Sequence, residues 1–393
     1  MHEFTYWVPT RIRFGRGAED QTAQEIQRLG AKRVLIVSGG ASARRSGLLD
    51  RIEAQLKAAG IASETFEGAK PNPRLSHARE GVRRAIDFGA ELILAVGGGS
   101  AIDTAKGIAH GAANPGTDLW AFWSGKVPLE KSLPVGVVLT ISAAGSETSD
   151  SAVLTDEEIG QKRGLSSPLN RPAFAVMDPA LTLTLPPWQV KCGVVDILMH
   201  TLDRYFNPVQ DNQLTDAIAE ALLRTVIRCG RIAAADPTDY DAMSELMWAG
   251  SLSHNGLTGL GGIKDFAPHQ LGHELSARFD VAHGASLSAV WGGWADFCLP
   301  SDPGRFARLG REVFGLSGGE ETALARQAVD AMVGYFAEIG MPTCFSELGI
   351  GVKSEEELAA MARGVTFDGA RRIGSFVSLG GEEILEIYRR CNH

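Results

Sequence analysis

The chain predicts an α/β domain followed by an all-α domain, and three observations carry that reading. Apolar strand-like runs alternate with helical segments over the first half, two strand-to-helix turns there are rich in glycine, and long helices dominate after about Pro186. At 393 residues there is chain enough for two sizeable cores. The change of character lies between Asp178 and Pro187, which gives domains at 1–182 and 183–393.

Each element follows from local pattern. Phe4 to Gly17 predicts two strands with a turn at Pro9, and Ala18 to Leu29 a helix. Arg33 to Ser38 (RVLIVS) is a continuous apolar run, as a strand covered on both faces requires, and it ends in Gly39-Gly40. Leu48 to Ala59 is helical and closed by Gly60, Ile61 to Glu67 a strand, and Ser76 to Phe88 a helix. Glu91 to Val96 (ELILAV) is a strand running into Gly97-Gly98-Gly99-Ser100, with a helix over Ala101 to Gly111. Val135 to Thr140 (VGVVLT) is the next strand, with a loop of small residues behind it. In the second half helices are expected at Pro187–Phe206, Asn212–Ala234, Tyr240–Leu252, His269–Arg278, Ala285–Phe297, Glu320–Ile339, Ser354–Arg363 and Gly381–Arg390, most of them stopped by glycine or proline.

Composition excludes several classes. A formal net charge of −9 argues against nucleic acid or an anionic membrane as partner. Five scattered cysteines without a CxxC pair read as reduced thiols of a cytoplasmic protein. The N-terminus has no apolar secretion segment, and no apolar run approaches the roughly 18 residues of a membrane span.

Histidines mark the first chemical constellation. Three of the nine, His269, His273 and His283, fall in Lys264–Gly284. Pro268 suits a first helical turn, His269 and His273 stand one turn apart on one face, and a break at Asp280 lets His283 fold back towards them. Upstream, Asp196 and His200 repeat the four-residue spacing inside the apolar helix GVVDILMH, where an aspartate is costly to bury without a partner or a metal. One carboxylate and up to four imidazoles suit a divalent cation, iron(II) or zinc. A metalloprotease fits poorly, because Gln270 stands where HExxH needs its glutamate.

The glycine turns mark the second. Gly97, Gly98, Gly99 and Ser100 join a strand to a helix start, where close backbone approach, free N–H groups and the helix dipole favour a phosphate. The alternative is a tight turn without a ligand. The turn Ser38–Arg45 carries Gly39, Gly40, Ser42, Arg44 and Arg45 and no carboxylate, a set suited to a 2′-phosphate; solvated surface arginines are the other reading. The loop from Thr140 to Thr148, with Ser142, offers hydroxyls to a nucleotide or is a plain bend.

Together these segments resemble the iron-containing (group III) alcohol dehydrogenases, most of all their NADPH-dependent aldehyde reductase and butanol dehydrogenase branch. The resemblance runs along the whole chain: PTRIRFGRG at 9–17, PNP at 71–73, AVGGGSAIDTAK at 95–106, GSE at 145–147, and FAVMDPALTLTLPPWQVKCGVVDILMHTLDRYF at 174–206. It implies a metal held by Asp196, His200, His269 and His283, with His273 beside the nicotinamide as a proton relay. It implies a pyrophosphate site at Gly97–Ser100, Asp103 near the nicotinamide end, and Lys162 on the cofactor ribose. Gly40 stands where NAD-preferring members carry aspartate, which agrees with NADP(H). Ala144 departs from the family's TGSE motif and leaves one cofactor hydroxyl contact to Thr140, Ser142 or Ser146. The resemblance further implies a dehydroquinate synthase-like fold with the site in the interdomain cleft, a homodimer paired through strands near Phe4–Phe14, and hydride transfer between NADP(H) and a primary alcohol or aldehyde. A metal- and NAD-dependent carbon–oxygen lyase is the alternative, disfavoured by the few basic residues (Lys191, Arg204, Lys264, Arg278) near the histidines. Trp120, Trp123, Trp188 and Trp291 are candidates to line a hydrophobic cleft or to be core.

Overall fold

A computed structural model of the chain describes residues 2–209 and 211–393. These divide into two compact units, one over Trp7–Leu185 and one joining the residues up to Tyr6 with Pro186–His393.

The first unit is built on six parallel strands: β1 (Arg11–Phe14), β2 (Arg33–Ser38), β3 (Ala62–Phe66), β4 (Leu92–Gly97), β5 (Val135–Leu139) and, after a hairpin, β8 (Phe174–Met177). Their order is β1-β8-β5-β4-β2-β3. Strands β2, β4, β5 and β8 are buried almost throughout, because helices cover both faces of a parallel sheet and only apolar residues fit there. From β2 the chain crosses to β3 on one side, and β4 then returns to the other side of β2, with Ser38 in register with Val96. That reversal brings the glycine ends of β2 and β4 side by side, the position at which open α/β sheets bind ligands.

Three strands went unforeseen, two of them paired with each other. β6 (Ser151–Asp156) and β7 (Gln161–Ser166) form an antiparallel hairpin whose sequence, SAVLTDEEIGQKRGLS, shows little alternation. The short helix Leu119–Trp123 and strand β8 were also missed. One expectation fails. Residues 2–10 form no strand, so of the pair expected in Phe4–Gly17 only β1 exists. Residues 2–10 lie outside the six-stranded sheet, and Phe4, Tyr6 and Trp7 are exposed.

The second unit is helical, and no strand occurs among its described residues. Helices run over Pro187–Tyr205, Gln213–Ala235, Tyr240–His254, Ala267–Phe279, His283–Cys298, Pro303–Phe314, Glu321–Glu338, Glu355–Thr366 and Gly381–Cys391. Of these, Pro303–Phe314 was not anticipated; it begins at the cap Asp302, whose carboxylate accepts the Arg305 N–H at 3.0 Å. Glycines set the close crossings that matter here. A Cβ on Gly284 would stand 2.1 Å from the Cys192 carbonyl oxygen, so helix His283–Cys298 lies against the backbone of helix Pro187–Tyr205. A Cβ on Gly272 would stand 2.9 Å from Ser286 Oγ, which fixes the approach of helix Ala267–Phe279. Those contacts bring three histidine-bearing helix segments to one point.

Candidate metal centre and nucleotide turns

The helical unit gathers the predicted ligands. Asp196 Oδ1 lies 3.4 Å from His200 Nε2, 3.7 Å from His269 Nε2 and 3.8 Å from His283 Nε2. Donors placed tetrahedrally at about 2.1 Å from one cation stand about 3.4 Å apart, close to these three distances to the carboxylate oxygen; the donor set lying mutually within 4.8 Å is Asp196, His200 and His269, with His283 outside it. Asp196 Oδ1 and His269 Nε2 are buried and make no hydrogen bond, a cost that a cation would remove.

Electrostatics divides the imidazoles. Burial pushes the His200 pKa well below the ordinary histidine value, reinforced by His254 and His269. Burial also opposes charge on His269, but Asp203 and Asp196 outweigh it and raise that pKa. His273 is half-buried, its ring centroid 5.2 Å from that of His283 and 6.3 Å, edge-on, from that of His269. The turn that returns His283 is made by Asp280 in the left-handed region (φ 53°), where the break was expected.

Two residues of this cluster were missed in the sequence. Asp203 Oδ2 lies 2.6 Å from His269 Nδ1, and its side chain is 1% exposed. The signal was present: Asp203 follows Asp196 by seven residues, two turns along one helix face, in another apolar context. His254 stacks on the His200 ring with centroids 3.8 Å apart. It comes from the separate helix Tyr240–His254, and sequence spacing gives no hint of the contact.

The sheet unit brings together the predicted nucleotide residues. A Cβ on Gly98 would stand 2.0 Å from Ile141 Cγ2, and one on Gly97 2.8 Å from the Ala101 Cβ, so the glycine run lets the β4 turn close on the loop after β5. The Thr140 N–H donates to the Gly97 carbonyl at 3.1 Å. Ser100 is the second residue of the helix Gly99–Ala113 and is half-buried. Ser142 and Ser38, at the ends of β5 and β2, carry buried hydroxyls without a hydrogen-bond partner. Lys162 on β7 donates to Asn72 Oδ1 at 3.0 Å, which joins it to the PNP turn.

Asp103 is engaged within its own unit. It accepts from Ser146 Oγ at 2.5 Å and from the Val153 N–H at 2.9 Å. Lys106, fully buried, donates to the Ser146 carbonyl at 2.8 Å and the Ser151 carbonyl at 2.7 Å. Burial brings its pKa down to about 8, opposed by Asp103 and Glu147. These two side chains brace the loop behind the glycine turn.

At the β2 end, Gly39 is half-buried and Gly40, Ser42 and Arg45 are exposed. The expectation that Arg44 also serves a phosphate is corrected. Its guanidinium is paired with Asp50 at 2.7 Å, Glu53 at 3.0 Å and Glu67 at 2.8 Å, so three carboxylates already use its charge. Trp120, Trp123 and Trp291 are buried core, whereas Trp188 is exposed.

Comparison with known proteins identifies the kind of chain that carries this geometry. Residues 9–179 match the model of the iron-containing alcohol dehydrogenases, and residues 190–391 that of the C-terminal region of the Fe-containing alcohol dehydrogenase family. The chain is 38% identical to NADH-dependent butanol dehydrogenase A of Clostridium acetobutylicum, covering 99% of this chain and 100% of that protein. It is 34% identical to the NADPH-dependent aldehyde reductase YqhD of Escherichia coli, over 95% of this chain and 99% of that protein. The crystal structure of NADH-dependent butanol dehydrogenase A from Thermotoga maritima superposes with a TM-score of 0.96 at 33% identity, covering 100% of this chain and 99% of that one.

Proposed function

The chain belongs to the iron-containing alcohol dehydrogenase family, and from that premise we propose that it is an aldehyde reductase transferring hydride between NADP(H) and a primary alcohol or aldehyde. The observation that carries the reading is the cluster of Asp196, His200 and His269, with His283 Nε2 3.8 Å from the same carboxylate oxygen, in which Asp196 Oδ1 and His269 Nε2 are buried without a hydrogen bond, a set suited to Fe²⁺ or Zn²⁺. Identity of 34–38% over nearly the whole chain to alcohol and aldehyde oxidoreductases favours oxidoreduction over the lyase alternative.

A divalent cation there supplies Lewis-acid polarisation of the substrate oxygen. Asp196 contributes the anionic donor, and His200, His269 and His283 the neutral ones. His273, one turn from His269 and beside His283, passes the proton to the oxygen of the reduced carbonyl or takes it from the alcohol. In the sheet unit, Gly97, Gly98 and Gly99 clear the backbone for the pyrophosphate, and Ser100, with the helix N-terminus behind it, supplies donors. Thr140 and Ser142 offer hydroxyls, Asp103 shapes the nicotinamide end through the loop it braces, and Lys162 reaches a cofactor hydroxyl.

The preference for NADP(H) rests on Gly39, Gly40 and Ser42, which present no carboxylate to repel a 2′-phosphate, and on Arg45 as the cation for it. The homodimer is supported by β1, an edge strand that ends in exposed Phe14 and is preceded by exposed Phe4, Tyr6 and Trp7. No helix among the described residues is long and apolar enough to cross a membrane. A cytoplasmic location is proposed separately, on five scattered cysteines that are all free thiols.

The test is an aldehyde panel with NADPH and NADH on metal-stripped protein reloaded with Fe²⁺ or Zn²⁺. Net NADPH oxidation that requires the metal is expected, with kcat/KM higher for NADPH and the preference reduced in Arg45→Ala. A reloaded enzyme that oxidises neither nucleotide would sink the function, and one that favours NADH would overturn the cofactor assignment alone.

A further inference from the structure

We propose that Asp203 is a positioning residue for the metal ligand His269, fixing which ring nitrogen carries the proton and where the other points. The inference rests on the metal-site reading above and adds to it a group outside the ligand set.

Helix Pro187–Tyr205 presents two buried carboxylates on one face, Asp196 and, two turns later, Asp203. The His269 ring lies between them, Nδ1 at 2.6 Å from Asp203 Oδ2 and Nε2 at 3.7 Å from Asp196 Oδ1. A carboxylate only accepts, so the proton of neutral His269 sits on Nδ1 and the Nε2 lone pair faces the donor cluster. Nε2 is buried and has no hydrogen-bond partner, as a nitrogen kept for a cation should be.

His200 provides the contrast within the same site. Its Nδ1 is buried without a hydrogen bond, and the ring face rests on His254. Stacking sets the plane of His200, whereas a directional bond sets both plane and tautomer of His269. Removing the Asp203 carboxylate therefore disturbs one ligand of the set. The helix that carries His269 keeps its start by a separate link: the Asp265 N–H donates to the Asp203 carbonyl at 2.8 Å, and Asp265 Oδ2 accepts the Ala267 N–H at 3.1 Å. A side-chain change at Asp203 leaves that backbone link in place.

The experiment measures Zn²⁺ affinity of the stripped full-length protein by competition with a chromophoric chelator, and records the visible spectrum of the Co²⁺ form. Asp203→Ala, Asp203→Asn and the ligand variant Asp196→Ala are compared with wild type. Asp203→Ala is expected to bind Zn²⁺ about 10–100-fold more weakly, with altered Co²⁺ ligand-field bands. Asp203→Asn keeps an acceptor oxygen for Nδ1–H, so it is expected to recover part of the affinity and the wild-type spectrum. A cooperatively folded Asp203→Ala protein with Zn²⁺ affinity within twofold of wild type and an unchanged Co²⁺ spectrum overturns the proposal. If the alanine variant does not fold, Asp203→Ser, whose shorter side chain withdraws the acceptor from Nδ1, decides by the same criteria: unchanged affinity and spectrum at a measurable loss of stability mean a merely structural role. Should Asp196→Ala retain the metal as well, the metal-site reading itself fails.

Discussion

Asp196 and His269 in the helical unit point bare donor atoms at one another across 3.7 Å, while Asp103 and Lys106 in the sheet unit spend theirs on Ser146, Ser151 and Val153. Both sets are polar, buried, and carried on helices. One set is incomplete without a ligand and the other is complete without one. The difference separates a site built from side chains from a site built from backbone. A metal needs directed lone pairs, so the helices hold side-chain donors close together and unsatisfied, at a cost in stability. A dinucleotide phosphate needs N–H groups and room, so glycines supply the surface and side chains such as Lys106 stiffen what lies behind it.

The largest effect that tests this contrast is at Asp196. Asp196→Ala is expected to lose bound metal and reduce turnover by roughly 10³-fold, since several kcal/mol of charge stabilisation go with it. Stability should move the opposite way: without metal the variant should unfold no more easily than stripped wild type, because the orphaned carboxylate oxygen is gone. Adding metal at a thousandfold excess over Kd should stabilise wild type by about 4 kcal/mol and the variant not at all. Metal analysis with thermal unfolding checks all three statements, and a stripped variant far less stable than stripped wild type would mean that Asp196 is a structural residue.

In the sheet unit the corresponding change is Gly98→Ala. The new methyl meets Ile141 Cγ2 at 2.0 Å, and β-branched Ile141 has little freedom to yield. A loss of about 1–3 kcal/mol in stability and a clear drop in nucleotide affinity are expected, with metal content unchanged. Isothermal titration with NADPH reads the affinity; an unaltered Kd would show the glycine run to be a tight turn and nothing more.

His110 sharpens the comparison by pH. It is buried and bonded to Ser132 and Asn170, and burial holds its pKa down to about 4. In the unfolded chain a histidine titrates near 6.5, so between about pH 6.5 and 4 the unfolded state binds the extra proton and stability falls as pH falls. About 2 kcal/mol should go between pH 7 and 5, and denaturant unfolding of His110→Gln should show a correspondingly flatter acid limb. Equal slopes in the two proteins would assign the acid sensitivity elsewhere.

The smallest effect is at Arg44. Its partners are partly exposed, so Arg44→Ala should cost at most about 1 kcal/mol and leave the ratio of NADPH to NADH kcat/KM nearly unchanged. A large loss of NADPH preference would return Arg44 to the phosphate site.

Periodicity and glycine placement made the parallel-sheet strands β2 to β5 and most helices legible, since a continuous apolar run such as ELILAV and an i,i+4 pair such as His269 and His273 are local facts. The four candidate metal ligands were named through the resemblance, with one acid in an apolar helix as the physical hint. The hairpin β6–β7 was illegible because its faces are mixed, and the first expected strand is absent, since within the chain residues 2–10 join no sheet. What only tertiary structure decided is which polar groups were already taken. Arg44 read as a free cation until Asp50, Glu53 and Glu67 closed on it, and Asp203 was one more helical acid until His269 arrived 66 positions later with Nδ1 at 2.6 Å. Sequence sets what each residue has to offer within a turn or two of its own helix or strand; long-range packing settles whether that offer is met by a neighbour or kept for a ligand.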